Sequence, residues 1–408
     1  MEFIGDFHIH SGYAGACSKD ITLEKLEEYA KIKGVNVLGT GDFQHPKWNI
    51  ELNKKLEEDE NGILWSKNKF PFIWQSELSL VYTQDGKGRR VHHLVLAPNK
   101  GVVDQIIDEF KKRWRIDYDG RPILGVSSID FTELLKGISK DIEIIPAHAW
   151  TSWFGVLGSK GGFNSIEECF KDQAKHIHAI ETGMSSDPEM NRRISSLDKY
   201  AMVSFSDMHS FWPWRIGREA TIFDCKLNYK DIIKSIREKK LKATIEVDPC
   251  YGKYHEDGHR VCDIHFTPKQ TREQKGICPK CKKPLTIGVE YRVEELTDRE
   301  KAKNVEDYHK VVPLSELIAS VHGIKQVGSK KVWSIFNDLI KNFKTEFDIL
   351  LRTPEKELLK VVKPKLVSVI IENRNGHLNI DPGYDGVYGK IILKNKEKIS
   401  NQKGLDEF

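Results

Sequence analysis

The sequence has no uninterrupted apolar run long enough to span a membrane. Its opening stretch, MEFIGDFHIHS, lacks the basic and apolar segments of a secretory signal. Both absences predict a soluble, cytoplasmic protein with no membrane partner. Cysteine is sparse, with seven in 408 residues, and an odd count excludes a fully paired disulfide framework. Cys17, Cys169, Cys225 and Cys250 are scattered, whereas Cys262, Cys278 and Cys281 gather near His259. Neither sign of charge dominates, and the net is only +4. The halves differ, however: residues 1–225 carry 28 Lys/Arg and 33 Asp/Glu, residues 226–408 carry 36 and 27. A mildly basic back half suits contact with phosphate.

What is present divides the chain into several units. Through residues 1–245, β-rich apolar stretches alternate with amphipathic helical ones. Strands are expected at Phe3–Phe7, Val35–Leu38, Phe72–Trp74, Val91–Leu96, Ile142–Ile145, Ile177–Ile180 and Met202–Phe205, and helices at Thr22–Lys33 and Val102–Trp114. That alternation predicts an α/β fold with a largely parallel sheet, in the manner of a barrel. Residues 246–295 form a loop-rich segment dense in His, Cys, Gly and Lys. Residues 296–378 read as helical, starting with Asp298–Lys310 and Leu314–Val321, and residues 379–408 form a tail.

Polar residues recur in or just after the expected strands: His8 and His10, Asp42, Glu77, His93, His148, Glu181, then Asp207 and His209. The carboxyl ends of barrel strands converge, so residues distant in sequence meet there. His8-Ile9-His10 places two imidazoles on one side of a strand end, because side chains alternate, and Asp207-Met208-His209 repeats that spacing. Glu77 can bridge two ions. Imidazole mixed with carboxylate favours zinc, manganese or iron over a magnesium-only site. Such a centre activates water without a protein nucleophile. Glu181 and an Asp are both candidates for proton transfer.

His259-x-x-Cys262 and Cys278-Pro-Lys-Cys281, fifteen residues apart, have the spacing of a closed structural zinc site. Cys250 and His255 are rival ligands. Gly323-Ile-Lys-Gln-Val-Gly328 and the run after it resemble a helix-hairpin-helix, which brings Lys325, Gly328, Lys330 and Lys331 to a DNA phosphate. Gln402–Phe408 resembles the start of a sliding-clamp (PCNA) binding peptide.

Gly5-Asp6-Phe7-His8-Ile9-His10-Ser11, Gly39-Thr40-Gly41-Asp42, Gln75-Ser76-Glu77, Pro146-Ala147-His148 and Ser206-Asp207-Met208-His209 resemble the motifs of the polymerase and histidinol phosphatase (PHP) superfamily. This resemblance implies a distorted seven-stranded β/α barrel with a trinuclear metal cluster. It implies one ion on His8, His10, Glu77 and Asp207, and a second on Glu77, His93 and His148. A third would use His209 with residues of the first loop and the Asp42 region. There the sequence departs from the pattern, with Gly41-Asp42-Phe43 in place of Thr-Asp-His. His45 is then expected to serve, with Asp20 from the first loop and Asp42 as ligand or support. His92, next to His93, is expected to point away.

The order of barrel, His/Cys module and helix-hairpin-helix, with the runs Gly252–Arg260, Arg292–Leu296 and Pro382–Gly389, resembles the endonuclease Q family of archaeal DNA-repair nucleases. The resemblance implies metal-dependent incision 5′ to a deaminated base (uracil, hypoxanthine, xanthine) or an abasic site. Two or three catalytic zinc ions, or manganese or magnesium, would accompany one structural zinc. An extruded base needs walls. Trp150, Trp153, Phe154 and Asn164 are candidates for these, with Trp212, Trp214, Arg215, Arg218 and Lys253 for gripping the strand. The alternatives are a PHP-type small-molecule phosphatase and a non-catalytic PHP scaffold that binds DNA.

Overall fold

The computed structural model describes residues 1–393. The clamp-like segment Gln402–Phe408 lies outside the described residues. The architecture is mixed α/β, with strands disposed around a buried centre. Strand Glu2–Asp6 pairs in parallel with Val37–Gly39, which pairs in parallel with Pro71–Gln84. On its other edge Glu2–Asp6 is antiparallel to Ala220–Asp224, which is antiparallel to Leu241–Glu246. Pro71–Gln84 continues through the antiparallel strand Lys87–Ala97 to Glu143–Pro146. The parallel pair Ala179–Glu181 and Ala201–Val203 fills the remaining sector. Single bonds rather than ladders attach it: Ala149 N–H to the Glu181 carbonyl at 2.9 Å and Ser204 Oγ to the Ile245 carbonyl at 3.1 Å. The result is a distorted barrel.

All the expected strands form, but the sheet is mixed rather than largely parallel. One cause is the hairpin Pro71–Gln84/Lys87–Ala97. Asp85 and Gly86 at its tip both have positive φ, 52° and 72°. That is the backbone demanded by a two-residue turn whose twist matches its strands. Helix Leu23–Lys33 begins where the Thr22 hydroxyl accepts from Lys25 N–H, and it ends at Gly34 with φ 98°. Helix Lys100–Arg113 is capped by Asn99 and buries Val103, Ile106, Ile107 and Phe110 at helical spacing.

The expected helix over Asp298–Lys310 does not form. Tyr308–Lys310 is instead a strand added in parallel to Leu241–Glu246, so the chain returns to the barrel before the helical unit begins. Tertiary pairing overrides local propensity there. Leu314–Val321, Lys330–Phe343 and Pro364–Arg374 form the main helices of that unit. The segment Asn379–Ile392 folds back onto the cysteine-bearing module. Gly383 N–H bonds to the Cys250 carbonyl, Glu256 N–H to the Gly383 carbonyl, and Tyr384 Oη to Asp263 at 2.6 Å.

Candidate metal centre and cavity

Glu77 lies inside its strand, fully buried, and its two oxygens face different partners. Oε2 is 3.2 Å from His10 Nε2 and 3.5 Å from His8 Nε2, and Asp207 Oδ1 closes that group at 3.2 and 3.4 Å from the same two nitrogens. Oε1 is 2.8 Å from His92 Nδ1 and 3.1 Å from His148 Nε2. Two sets of potential ligands, His8–His10–Glu77–Asp207 and Glu77–His92–His148, therefore share one carboxylate.

Each imidazole of the His-x-His pair is aimed from behind. Glu181 holds His8 Nδ1 at 2.9 Å, and Asp42 holds His10 Nδ1 at 3.0 Å. Carboxylate oxygens accept, so each Nδ1 carries the proton and each Nε2 presents its lone pair to the centre. Asp42 is itself fixed by the Ser11 N–H and hydroxyl, both at 2.6 Å. Asp42, His148 and Asp207 sit at positive φ (40°, 30° and 44°), conformations that such residues hold only when their surroundings compel it.

The donor set fits a divalent ion. His8 Nε2 is buried without a hydrogen-bond partner. Burial opposes charge on His8, yet Glu181, Glu77 and Asp207 raise its pKa well above the usual range. Burial also works against charge on Glu77, but His92, Arg121 and His8 hold its carboxyl well below the carboxylate range. His8 and His10, whose surrounding carboxylates draw protons onto them in this way, stand where a bound cation would replace those protons.

Several expectations need correction. His93 does not face Glu77. The register pairs Leu78 with His93 and Ser79 with His92, so His92 shares Glu77's face and His93 the opposite one. His93 packs against Phe170 at 5.1 Å and bonds Ser128 Oγ at 2.8 Å. Glu181 is sealed behind His8 and also accepts His148 N–H at 2.6 Å, which leaves it no path to a reacting group. The four residues expected at a third ion do not converge. Asp20 is exposed, Asp42 supports His10, His45 stacks on Tyr13 at 4.5 Å, and His209 Nδ1 turns to the Asp207 carbonyl at 3.0 Å. Trp150 is buried and donates to Asn191 at 2.7 Å, so it is no wall for a ligand. Arg121 was not legible as a site residue, yet its Nη1 lies 2.9 Å from Glu77 Oε2. No motif or strand end marks it in the sequence.

A cavity of about 410 Å³ opens beside the centre. His148, Asp207 and His209 form its floor, Arg215 and Arg218 come from the barrel, Lys253 and His255 from the cysteine-bearing module, and Tyr388 from the returning tail segment. Lys253 Nζ lies over the Tyr388 ring at 4.7 Å. Trp153 is exposed on a separate groove with Arg90 and Lys160, while Phe154 stacks on His92 at 4.3 Å. Asn164 is engaged by Arg292 at 2.7 Å and ties barrel to module. Trp212 and Trp214 stack at 5.4 Å and pack against Trp333, so they join the barrel to the helical unit rather than lie open to a strand. Beyond the barrel, His259, Cys262, Cys278 and Cys281 converge, with Cys281 Sγ 3.6 Å from His259 Nδ1. The rivals Cys250 and His255 pair with each other instead, at 3.4 Å. Lys325, Gly328, Lys330 and Lys331 are all exposed around the hairpin. No helix among the described residues is long and apolar enough to cross a membrane.

A strand barrel with a buried imidazole–carboxylate centre, a Cys/His module and a helical unit defines a multidomain phosphoesterase of the PHP type. Solved structures share this fold. The lesion-specific endonuclease PfuEndoQ from Pyrococcus furiosus is 32% identical, with a TM-score of 0.87 and 98% of each chain covered. An endonuclease Q complex with a 27-mer duplex substrate bearing an abasic lesion at the active site is also 32% identical, with a TM-score of 0.88, covering 98% of this chain and 100% of the other. The chain belongs to the endonuclease Q family. Residues 313–377 match the family model described as the MJ0043 C-terminal domain. The uncharacterized protein MJ0043 of Methanocaldococcus jannaschii is 33% identical over 60% of this chain, but the chain spans only 32% of that relative's length. The uncharacterized protein YqxK of Bacillus subtilis is 28% identical over 95% of this chain and 98% of its own.

Proposed function

We propose that the protein is a metal-dependent DNA-repair endonuclease that incises the phosphodiester 5′ to a deaminated base (uracil, hypoxanthine or xanthine) or an abasic site. The observation that carries this reading is the pair of potential ligand sets sharing Glu77. In this reading His8, His10, Glu77 and Asp207 hold one ion, and Glu77, His92 and His148 hold a second. Zinc is favoured by the imidazole-rich set, with manganese or magnesium as candidates for supporting activity. His259, Cys262, Cys278 and Cys281 hold a structural zinc. Bound ions would polarise the phosphodiester, lower the pKa of a water and steady the leaving oxygen.

The protein's own groups do the rest. Glu181 and Asp42 keep the Nε2 atoms of His8 and His10 on target. The extruded nucleotide enters the cavity next to Asp207, where Arg215 and Lys253 supply positive charge for its phosphates and His255 and Tyr388 border the base. Phe154 backs His92 rather than the base. The hairpin with Lys325, Gly328, Lys330 and Lys331 contacts duplex phosphates away from the lesion. A clamp contact through Gln402–Phe408 belongs to the same proposal.

The test is cleavage of end-labelled DNA carrying one uracil, hypoxanthine or abasic site, with added zinc, manganese or magnesium. Undamaged DNA and a phosphomonoester serve as controls. One metal-dependent cut 5′ to the lesion, lost in Glu77→Gln with DNA binding retained, supports the reading. Turnover of the phosphomonoester alone would replace it with a small-molecule phosphatase.

A further inference from the structure

We infer that Arg121 is a catalytic residue of this centre, a built-in cation that grips a non-bridging oxygen of the scissile phosphate in place of a third ion. The inference rests on the reading of the centre as a phosphodiester-cleaving site. The Arg121 guanidinium lies against Glu77 Oε2, the same oxygen that faces His8 and His10. Among the described residues of the barrel, no further set of ligands converges beside the two that share Glu77, and the guanidinium is the fixed positive charge against that shared carboxylate.

The segment that carries Arg121 is a built mount rather than a loose loop. Arg121 N–H bonds Asp119 Oδ1 at 2.8 Å, and the same oxygen takes Gly15 N–H at 3.1 Å. Gly120 N–H bonds the Tyr13 carbonyl at 3.1 Å, and Gln44 Nε2 bonds the Gly120 carbonyl at 2.6 Å. Glycine is required at 120, because a Cβ there would collide with Asp42 Oδ2. The loops that bear His10 and Asp42 therefore fix the base of the Arg121 side chain. Its side chain remains about 25% exposed, and among the hydrogen bonds of the described residues only Nη1 is engaged. The remaining N–H donors of the planar fork are free for an anion. A guanidinium matches two phosphate oxygens at once, and it cannot lose its charge when the transition state gains negative charge. A purely structural counter-charge for Glu77 would need neither the exposure nor the free donors.

The experiment compares Arg121→Ala and Arg121→Lys with the wild-type chain, using single-turnover cleavage of abasic-site duplex and ion counts by mass spectrometry. Folding is checked by thermal unfolding. Arg121→Ala is expected to lower the cleavage step about 10²–10³-fold, with lesion-DNA affinity changed far less and the ion count unchanged. Added guanidinium is expected to restore part of the rate in Arg121→Ala, and Arg121→Lys to retain an intermediate rate. An unchanged rate in Arg121→Ala would overturn the inference. So would a loss that tracks a missing ion, or one that neither guanidinium nor lysine relieves. If the wild-type chain leaves lesion DNA uncut, the proposed function fails before Arg121 is tested.

Discussion

Glu181 clasps His8 from behind, with both of its carboxylate oxygens within 3.0 Å of Nδ1. This arrangement turns the imidazole so that Nε2 faces Glu77 and Asp207. Glu181→Gln removes the charge that favours this tautomer while keeping the shape. Zinc affinity of the barrel centre is expected to fall about 10–100-fold, with DNA affinity unchanged. Competition with a chromophoric chelator measures it, and an unaltered zinc affinity would refute the positioning role.

His92 and His93 are neighbours with opposite outcomes. His92→Ala is expected to lose one barrel ion and nearly all cleavage while the protein melts close to the wild-type temperature. His93→Ala removes a buried ring packed on Phe170 and is expected to cost about 2–5 kcal/mol of stability. It should retain the ions at temperatures where it stays folded. Ion counts and unfolding curves on both variants separate the two; the reverse pattern would restore His93 as the ligand.

The buried carboxyls of Glu219 and Glu246 share the Ser204 hydroxyl, at 3.1 and 3.0 Å. Burial raises both above the usual carboxyl range, Glu246 to about 8 from 4.5. A carboxyl whose folded pKa is raised binds its proton more tightly in the folded chain. Its contribution is therefore complete below pH 4.5 and declines as pH rises towards 8. Unfolding midpoints should drop as pH passes through this window. Glu246→Gln, which has no proton to lose, should flatten the profile and melt higher than the wild type on the alkaline side.

Cys278→Ser breaks the His259–Cys262–Cys278–Cys281 set. Such a small module draws its folding energy from its ion. The variant is expected to bind one zinc fewer and to be cut by protease within residues 259–285. Because Gly383 and Tyr384 dock on that module, release of the tail segment should follow. An intact digestion pattern with full zinc content would show that these four residues are not the ligands.

Lys330 and Lys331 lie exposed at the start of helix Lys330–Phe343. Replacing either with Ala is expected to weaken binding to lesion and undamaged duplex alike. The slope of log affinity against log salt should fall by about 1 for each phosphate left without its lysine. A weakening confined to lesion DNA would move these lysines from backbone binding to lesion recognition.

Much of the centre was legible before any fold was known. His8-x-His10 is local, and a period of two places that pair on one face wherever the strand goes. The spacing around Cys262, Cys278 and Cys281 is equally local. The helix start at Thr22 could be read because a cap spans only three residues, whereas the second helix begins at Lys100 on its Asn99 cap, two residues before the expected Val102. The failures all involve partners distant in the chain. Choosing His92 over His93 depends on how Lys87–Ala97 aligns with Pro71–Gln84, and a slip of one residue reverses the faces. Arg121 carries no motif, since its role comes from a mount made by Gly15, Tyr13 and Gln44. Tyr308–Lys310 looks helical until a barrel edge stands beside it.

The α/β alternation and the inventory of imidazoles, carboxylates and thiols came from the sequence alone, because both rest on local pattern and composition. Tertiary structure alone decided which carboxylates face the centre and which stand behind it, because strand register and loop crossing, not spacing, bring Glu77, Arg121 and Glu181 within 3 Å of their partners.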